Sequence, residues 1–232
     1  MHGGGQGFES PQLHLASKST TVVINRWNLP ISFSYPAIIY RASAQSSRKL
    51  PPDNIVHEAM SEKTMNSTDV IKFYTELDNL GIDIGIDGGW GVDALLGEQT
   101  RPHADLDIFI QEKDVLKLRE LLEAEGYKEI KLEIARPHNF VLGDDTGREI
   151  DVHVIVFDDE GNVRYGPIEN GERYLASMLG GEGIINGRNV KCISPEWMVK
   201  FHTGYTLRES DFKDVSALCK KFSIDLPKEY IR

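Results

Sequence analysis

Cysteine is scarce in this chain: there are two, Cys192 and Cys219, and neither has metal-type spacing. Two such thiols build neither a disulfide framework nor a thiolate zinc site, and they fit reduced side chains in a cytoplasmic protein. Long apolar runs are missing as well. The composition is 40% apolar and 27% charged, and no stretch reaches the ~20 apolar residues of a membrane-spanning helix. The apolar patch at 29–40 is broken by Pro30, Pro36 and several serines, which makes a poor secretory leader. The expected location is therefore cytoplasmic, with no membrane partner. Positive charge is sparse where most of the chain lies. Residues 1–60 hold five Lys/Arg against three Asp/Glu, so residues 61–232 carry −12 within a total of −10. A surface that acidic repels polyanions and attracts cationic ligands, so nucleic acid is not the expected partner unless a local basic patch exists.

At 232 residues one domain, with or without an appendage, is expected. Residues 1–65 open with a Gly-rich segment and scatter Ser, Pro and Asn without helical or strand period. They predict a disordered N-terminal extension, with Met60 and Met65 both able to start the chain. From Ser67 the pattern changes. Ser67 can cap a helix on Val70, Phe73, Leu77 and Leu80, and Gly81 stops it. A strand at 82–86 leads to Gly88-Gly89 and a short helix ended by Gly97. A strand at 106–110, an amphipathic helix at 113–124, extended segments at 127–134 and 139–142, a turn at 144–147 and a long strand at 148–157 follow. Asn186-Gly187 between two apolar runs reads as a two-residue hairpin. Ser194-Pro195-Glu196 starts the first of two closing helices, at 197–205 and 211–222. Residues 66–232 thus predict one α+β domain, a small mixed sheet flanked by helices, with C-terminal helices.

The chemistry concentrates in residues 87–110. Asp105 and Asp107 are two apart on a predicted strand, so both side chains leave one face. Their Cβ atoms lie about 6.6 Å apart at a rise of ~3.3 Å per residue, a gap over which two carboxylates can grip a hard cation. Leu106 and Ile108 face the other way, into the core. An Asp-x-Asp on a solvated strand edge is common by chance. Asp151 changes the balance, because it sits in a second strict alternation with Glu149 and His153 on its face and Ile150, Val152 and Val154 on the other. If the two strands are antiparallel neighbours, three carboxylates meet, and such a cluster repels itself unless a cation neutralises it.

Gly88-Gly89 sits where backbone N–H groups and a helix N-terminus could face a phosphate, although a tight strand-to-helix turn explains the pair equally. Trp90 reads as core or lid. Arg101 could clamp a phosphate bidentately or pair with a nearby acid, and His103 shares its loop. Lys200 and His202, on the helix after Pro195, could approach the phosphates, but a surface reading is preferred for both; His138 reads as an exposed loop histidine, and Trp197 and Tyr205 as packing.

The segment Gly88-Gly89-Trp90, Asp93, Gly97, Thr100-Arg101, His103, Asp105, Asp107 resembles the signature of lincosamide and aminoglycoside nucleotidyltransferases, of the polymerase-beta-like superfamily. Residues 191–222 resemble the small lincosamide enzymes in particular. The resemblance covers most of 67–222 and none of the first sixty residues. It implies an Mg2+-dependent transfer of a nucleoside monophosphate, AMP from ATP, onto a hydroxyl of a small antibiotic, a lincosamide, with resistance as the result. By it Gly88 and Gly89 contact the triphosphate, with Arg101 and His103 beside them. Asp105 and Asp107 bind magnesium, and Asp151 is the third acid, as metal ligand or as base, with Glu149 and His153 secondary candidates. An aminoglycoside acceptor, a toxin-type enzyme acting on tRNA and a non-catalytic nucleotide-binding module are the alternatives. A domain this small has little room for a deep acceptor pocket, which suggests a homodimer.

Overall fold

The computed structural model describes residues 65–132, 135–167 and 169–231. The disordered extension expected at 1–65 lies, apart from Met65, outside the described residues. Met65 itself is tied in: its side chain is buried and its N–H donates to the His103 carbonyl at 3.0 Å.

The first helix, α1 (Ser67–Asn79), is capped one residue earlier than its sequence suggests. Asn66, not Ser67, accepts from the Thr68 and Asp69 N–H groups through Oδ1. Its buried stripe is Val70, Phe73 and Leu77, whereas Leu80 lies outside the helix and is exposed. Strand β1 (Ile84–Asp87) runs straight into α2 (Gly88–Leu96), which ends on Gly97 in the left-handed region at φ 81°. Strand β2 (Asp105–Gln111), helix α3 (Val115–Ala124), and strands β3 (Lys128–Ile130), β4 (Asn139–Gly143) and β5 (Glu149–Phe157) follow. Two short strands escaped the sequence pattern, β6 (Val163–Tyr165) and β7 (Glu172–Tyr174). Three residues are too few to show a period. Strands β8 (Gly181–Ile185) and β9 (Arg188–Cys192) form the expected hairpin. Its turn residues, Asn186 at φ 48° and Gly187 at φ 77°, take the paired left-handed conformation that Asn-Gly favours. Helices α4 (Pro195–Phe201) and α5 (Glu209–Phe222) close the fold.

Among the described residues the strands form one mixed sheet, ordered β3-β4-β5-β2-β1-β9-β8, with β6 and β7 attached to β5. One expectation fails here. Strands β2 and β5 pair parallel, not antiparallel, with Asp107 opposite Asp151. Parallel neighbours need a crossover, and α3 with β3 and β4 provides it. Alternation holds throughout: Leu106, Ile108, Ile110, Ile150 and Val152 are buried on one face, and the acids share the other. No helix among the described residues is long and apolar enough to cross a membrane.

The turn before β5 carries more than its sequence shows. Asp144 accepts from the Thr146 and Arg148 backbone N–H groups, from Thr146 Oγ1 and from Arg148 Nε. Burial alone would raise its pKa, but the hydrogen bonds from Thr146 and Arg148 outweigh it and hold the carboxyl below the usual range. A depressed carboxyl stabilises the fold above its unfolded pKa, and that contribution is lost as pH falls through the folded value. Asp144→Ala is therefore expected to cost about 1–3 kcal/mol at neutral pH, with the loss fading in acid. Denaturant titration at neutral pH and below pH ~3 checks both parts.

Candidate active site

Three adjacent strands put one aspartate each into a single row. Asp87 stands opposite Asp107 across the antiparallel pair, and Asp107 stands opposite Asp151 across the parallel one. Cross-strand partners share a face, so the three carboxylates project together. Asp105 and Glu149 form the next row, two residues back on the same face. The sequence-predicted acids Asp105, Asp107 and Asp151 are thus brought together. Asp87 joins them unforeseen. It ends β1 at an odd offset from the two glycines, and no alternation around it signalled a role.

Burial and mutual charge act on these groups together. Burial, then the charges of Asp151 and Glu149, hold the Asp105 carboxyl above the usual range. Burial, then Asp105, Asp151 and Asp87, push Asp107 well above it. One carboxylate oxygen each of Asp107 and Asp151 and one ring nitrogen of His153 lie within 4.8 Å of one another. The donor set suits a divalent cation: carboxyl groups whose charges repel one another, beside a histidine whose buried Nε2 has no hydrogen-bond partner among the described residues.

The glycines are fitted to the acids. Gly88 has φ +58°, and a Cβ there would overlap the Asp107 carboxylate. A Cβ on Gly89 would overlap the His103 ring and come within 2.9 Å of Arg101 Nη2. Both glycines begin α2, so their backbone lies at the positive end of that helix, directly beside the carboxylates.

Arg101 and His103 belong to a relay that runs into the core. Arg101 Nη1 donates to His103 Nδ1 at 2.9 Å, since a guanidinium has no acceptor. His103 Nε2–H is therefore the donor to Asp93 Oδ2, at 2.5 Å. Asp93 is buried and also accepts from the Thr100 N–H and hydroxyl. Arg101 Nη2 pairs with Asp214 of α5 at 3.1 Å, while its Nε is buried with no partner among the described residues. Of the two readings of Arg101, the pairing with an acid is the one seen, and the residue also lines the cleft.

That cleft, of about 190 Å³, is lined by Gly88, Gly89, Arg101, His103, Asp105 and Asp107, with His202 and Arg208 closing it from the C-terminal helices. His202 corrects a surface reading. It is buried, donates from Nδ1 to the Met198 carbonyl at 2.8 Å, and its own carbonyl accepts from Tyr230 Oη. Arg208 precedes α5 and pairs with Asp211 at 3.1 Å. Nothing in its sequence surroundings marked it. Lys200 is exposed and lies over the Trp197 ring, as a surface residue should. His138 is half-buried rather than exposed, edge-on to Tyr165. A broader depression of about 580 Å³ lies at the hairpin turn, lined by Tyr74, Asp78, Asn186 and Arg188. It lacks the clustered acids, and neither Gly88 nor Gly89 lines it.

Comparison with known proteins identifies the family and the fold. The model of the aminoglycoside-2''-adenylyltransferase family matches residues 69–218. A lincosamide resistance protein of Staphylococcus haemolyticus is 32% identical over 159 residues, covering 67% of this chain and 97% of the relative. The lincosamide antibiotic adenylyltransferase LnuA, solved with lincomycin, superposes with a TM-score of 0.61 at 28% identity, over 70% of this chain and 99% of its own. ANT(2'')-Ia, solved with adenylyl-2''-tobramycin, superposes at 0.52 with 20% identity, over 67% and 88%, and shows a shared fold.

The raised carboxyls have a measurable consequence in metal-free protein. They contribute stability while protonated, below the ordinary carboxylate pKa, and lose it as pH rises through their folded-state values. Asp107→Asn removes one of the repelling charges without opening the core. It is expected to raise the melting temperature in chelator at neutral pH, with the gain shrinking toward pH ~4. A variant no more stable than the parent at neutral pH would show that the row carries no repulsion.

Proposed function

The chain belongs to the aminoglycoside-2''-adenylyltransferase family and is a nucleotidyltransferase; from that premise we propose that it moves AMP from ATP onto a hydroxyl of a lincosamide antibiotic. The carrying observation is the in-register row of Asp107 and Asp151, with Asp105 one step away, facing the glycine-led start of α2. The lincosamide choice is supported by the 32% identity that spans 97% of the lincosamide resistance protein, and by the near-complete cover of LnuA. The family model favours an aminoglycoside as second acceptor class. A surface as acidic as this one suits an amine-bearing acceptor of either kind.

In this reading Asp105, Asp107 and Asp151 hold the divalent cation, taken to be Mg2+. When bound, it neutralises charge on the phosphate oxygens and the leaving group. The protein's own part is positioning. The backbone at Gly88 and Gly89 meets the triphosphate without a side chain in the way. Arg101, fixed by His103 and Asp93 behind it, and Arg208 opposite it, offer guanidinium donors to phosphate oxygens. The acceptor hydroxyl oxygen bonds to the α-phosphorus, the bond from that phosphorus to the bridging oxygen breaks, and pyrophosphate leaves. The hydroxyl proton passes to Asp151, the acid of the row that reads as metal ligand or as base.

The cytoplasmic location and the homodimer remain part of the proposal, as does the assignment of activity to residues 66–232. A chain shortened to begin at Met60 keeps the Met65 amide that donates to His103, and is expected to retain turnover. Loss of folding in that chain would place the extension inside the functional unit.

The decisive test is incubation with ATP, Mg2+ and either lincomycin or tobramycin, followed by mass analysis for an adenylyl adduct. An adduct on tobramycin alone would overturn the lincosamide assignment. Asp107→Ala and Asp105→Ala are each expected to lower turnover about a thousandfold, ~4 kcal/mol of transition-state stabilisation, without unfolding the protein. Wild-type turnover in Asp107→Ala would remove the mechanism.

A further inference from the structure

His153 has an environment that surface exposure or ordinary packing does not account for. It sits on β5 two residues beyond Asp151 and is 2% exposed. Its Nδ1 lies 3.3 Å from both Asn139 Nδ2 and Tyr165 Oη, and Asn139 donates to the same tyrosine oxygen at 2.9 Å. Phe109 packs on the ring with centroids 5.1 Å apart. The ring is thus held at one nitrogen and on one side. The other nitrogen, Nε2, is buried with no hydrogen-bond partner among the described residues. A buried polar atom left in this state calls for a ligand.

Two tautomers are open to the ring. With the proton on Nδ1, that N–H donates to Tyr165 Oη, and Nε2 presents a bare lone pair. This is the arrangement of a metal-bound histidine, whose outer nitrogen is held by a hydrogen bond that fixes tautomer and orientation. The donors also have nearly the right reach. A ring nitrogen of His153 and carboxylate oxygens of Asp107 and Asp151 lie within 4.8 Å of one another. Donors on one octahedral ion at about 2.1 Å stand about 3.0–4.2 Å apart, a difference that small side-chain rotations close.

Resting on the reading of this row as a metal site, we infer that His153 Nε2 is a third ligand beside Asp107 and Asp151, making a mixed oxygen–nitrogen site that takes Mn2+ in preference to Mg2+ in the free protein. Mn2+ takes carboxylate oxygens and, as a first-row transition ion, also accepts an imidazole nitrogen, whereas magnesium favours oxygen donors and keeps its waters. Asp105 and Asp107 remain the all-oxygen side of the cluster, the one that a nucleotide's phosphates extend. Asp107 is common to both sides.

The test uses the full chain with Mn2+ alone, without nucleotide, and reads the bound ion by pulsed electron paramagnetic resonance. The expected spectrum shows coupling to an imidazole nitrogen. It disappears in His153→Gln, and Mn2+ affinity falls at least tenfold, on the order of what metal sites lose even for outer-shell changes. Tyr165→Phe leaves the ligand but removes the group that holds its outer nitrogen. It is expected to keep the coupling and weaken Mn2+ binding by about tenfold. Should His153→Gln fail to fold, His103→Gln and His202→Gln serve instead, and both must leave the coupling intact. Mn2+ bound through oxygen alone, coupling that survives in folded His153→Gln, coupling lost in His103→Gln or His202→Gln, or no bound Mn2+ at all would overturn the inference. Adenylyl transfer with Mg2+, and its loss in Asp107→Ala, are read separately, so the proposed function can stand while the nitrogen ligand falls.

Discussion

Like charges held in register on a rigid sheet set the terms for the rest of this molecule. Asp87, Asp107 and Asp151 occupy opposed positions on three neighbouring strands, with Asp105 and Glu149 one row behind. The backbone ladders fix their spacing, so the side chains cannot disperse without breaking strand pairing. Burial then works in the same direction as the repulsion, and both hold Asp105 and Asp107 toward the protonated form. Around this row the surroundings supply positive character: the start of α2, Arg101, and Arg208 from the C-terminal side. The opposite faces of β2 and β5 bury Leu106, Ile108, Ile150 and Val152, and that packing keeps the strands, and hence the charges, in place.

Much of this was legible before any coordinates. The strict alternation in residues 105–110 and 149–154 identifies two strands and assigns each aspartate to the face opposite the aliphatic core, although the expectation that this face is wet fails, since Asp151 and His153 are buried there. The Asn-Gly hairpin and the Pro195 helix start follow from local backbone chemistry alone. What failed was non-local. A sequence period states which residues share a face but not which way the neighbouring strand runs, so the parallel pairing of β2 with β5 could not be read. Asp87 was missed because its role depends on being opposite Asp107 in a third strand. Arg208 was missed, and His202 was set down as a surface residue, because helices distant in sequence bring them to the cleft. Asp144 looked like an ordinary turn residue, and its importance lies in the several donors that converge on it.

The relay behind Arg101 shows how a surface residue acquires a fixed direction. Asp93 is anchored in the interior by Thr100, His103 is oriented by Asp93, and Arg101 is oriented by His103. Arg101 offers only donors and a carboxylate only acceptors, so the tautomer of His103 between them is determined by its neighbours. Gly89 leaves the space in which the His103 ring and the guanidinium fit. The ion pair from Arg101 to Asp214 extends the same chain to α5, so loop and C-terminal helix share one electrostatic junction.

The parallel pairing of β2 and β5 also bears on how the molecule comes together in time. An antiparallel hairpin could assemble its acids while the remaining chain was still unstructured. Here Asp107 and Asp151 are separated by α3, β3 and β4, all of which intervene before β5 lies down beside β2. Closing so distant a contact is slow relative to local structure, because its entropy is lost before its contacts form. The unfolded and partly folded chain therefore has no ready-made cage for a divalent ion, which can bind only after the sheet exists. Such an ion acts as a ligand of the native state alone, and its free concentration becomes one of the variables that determine how much of the population is folded.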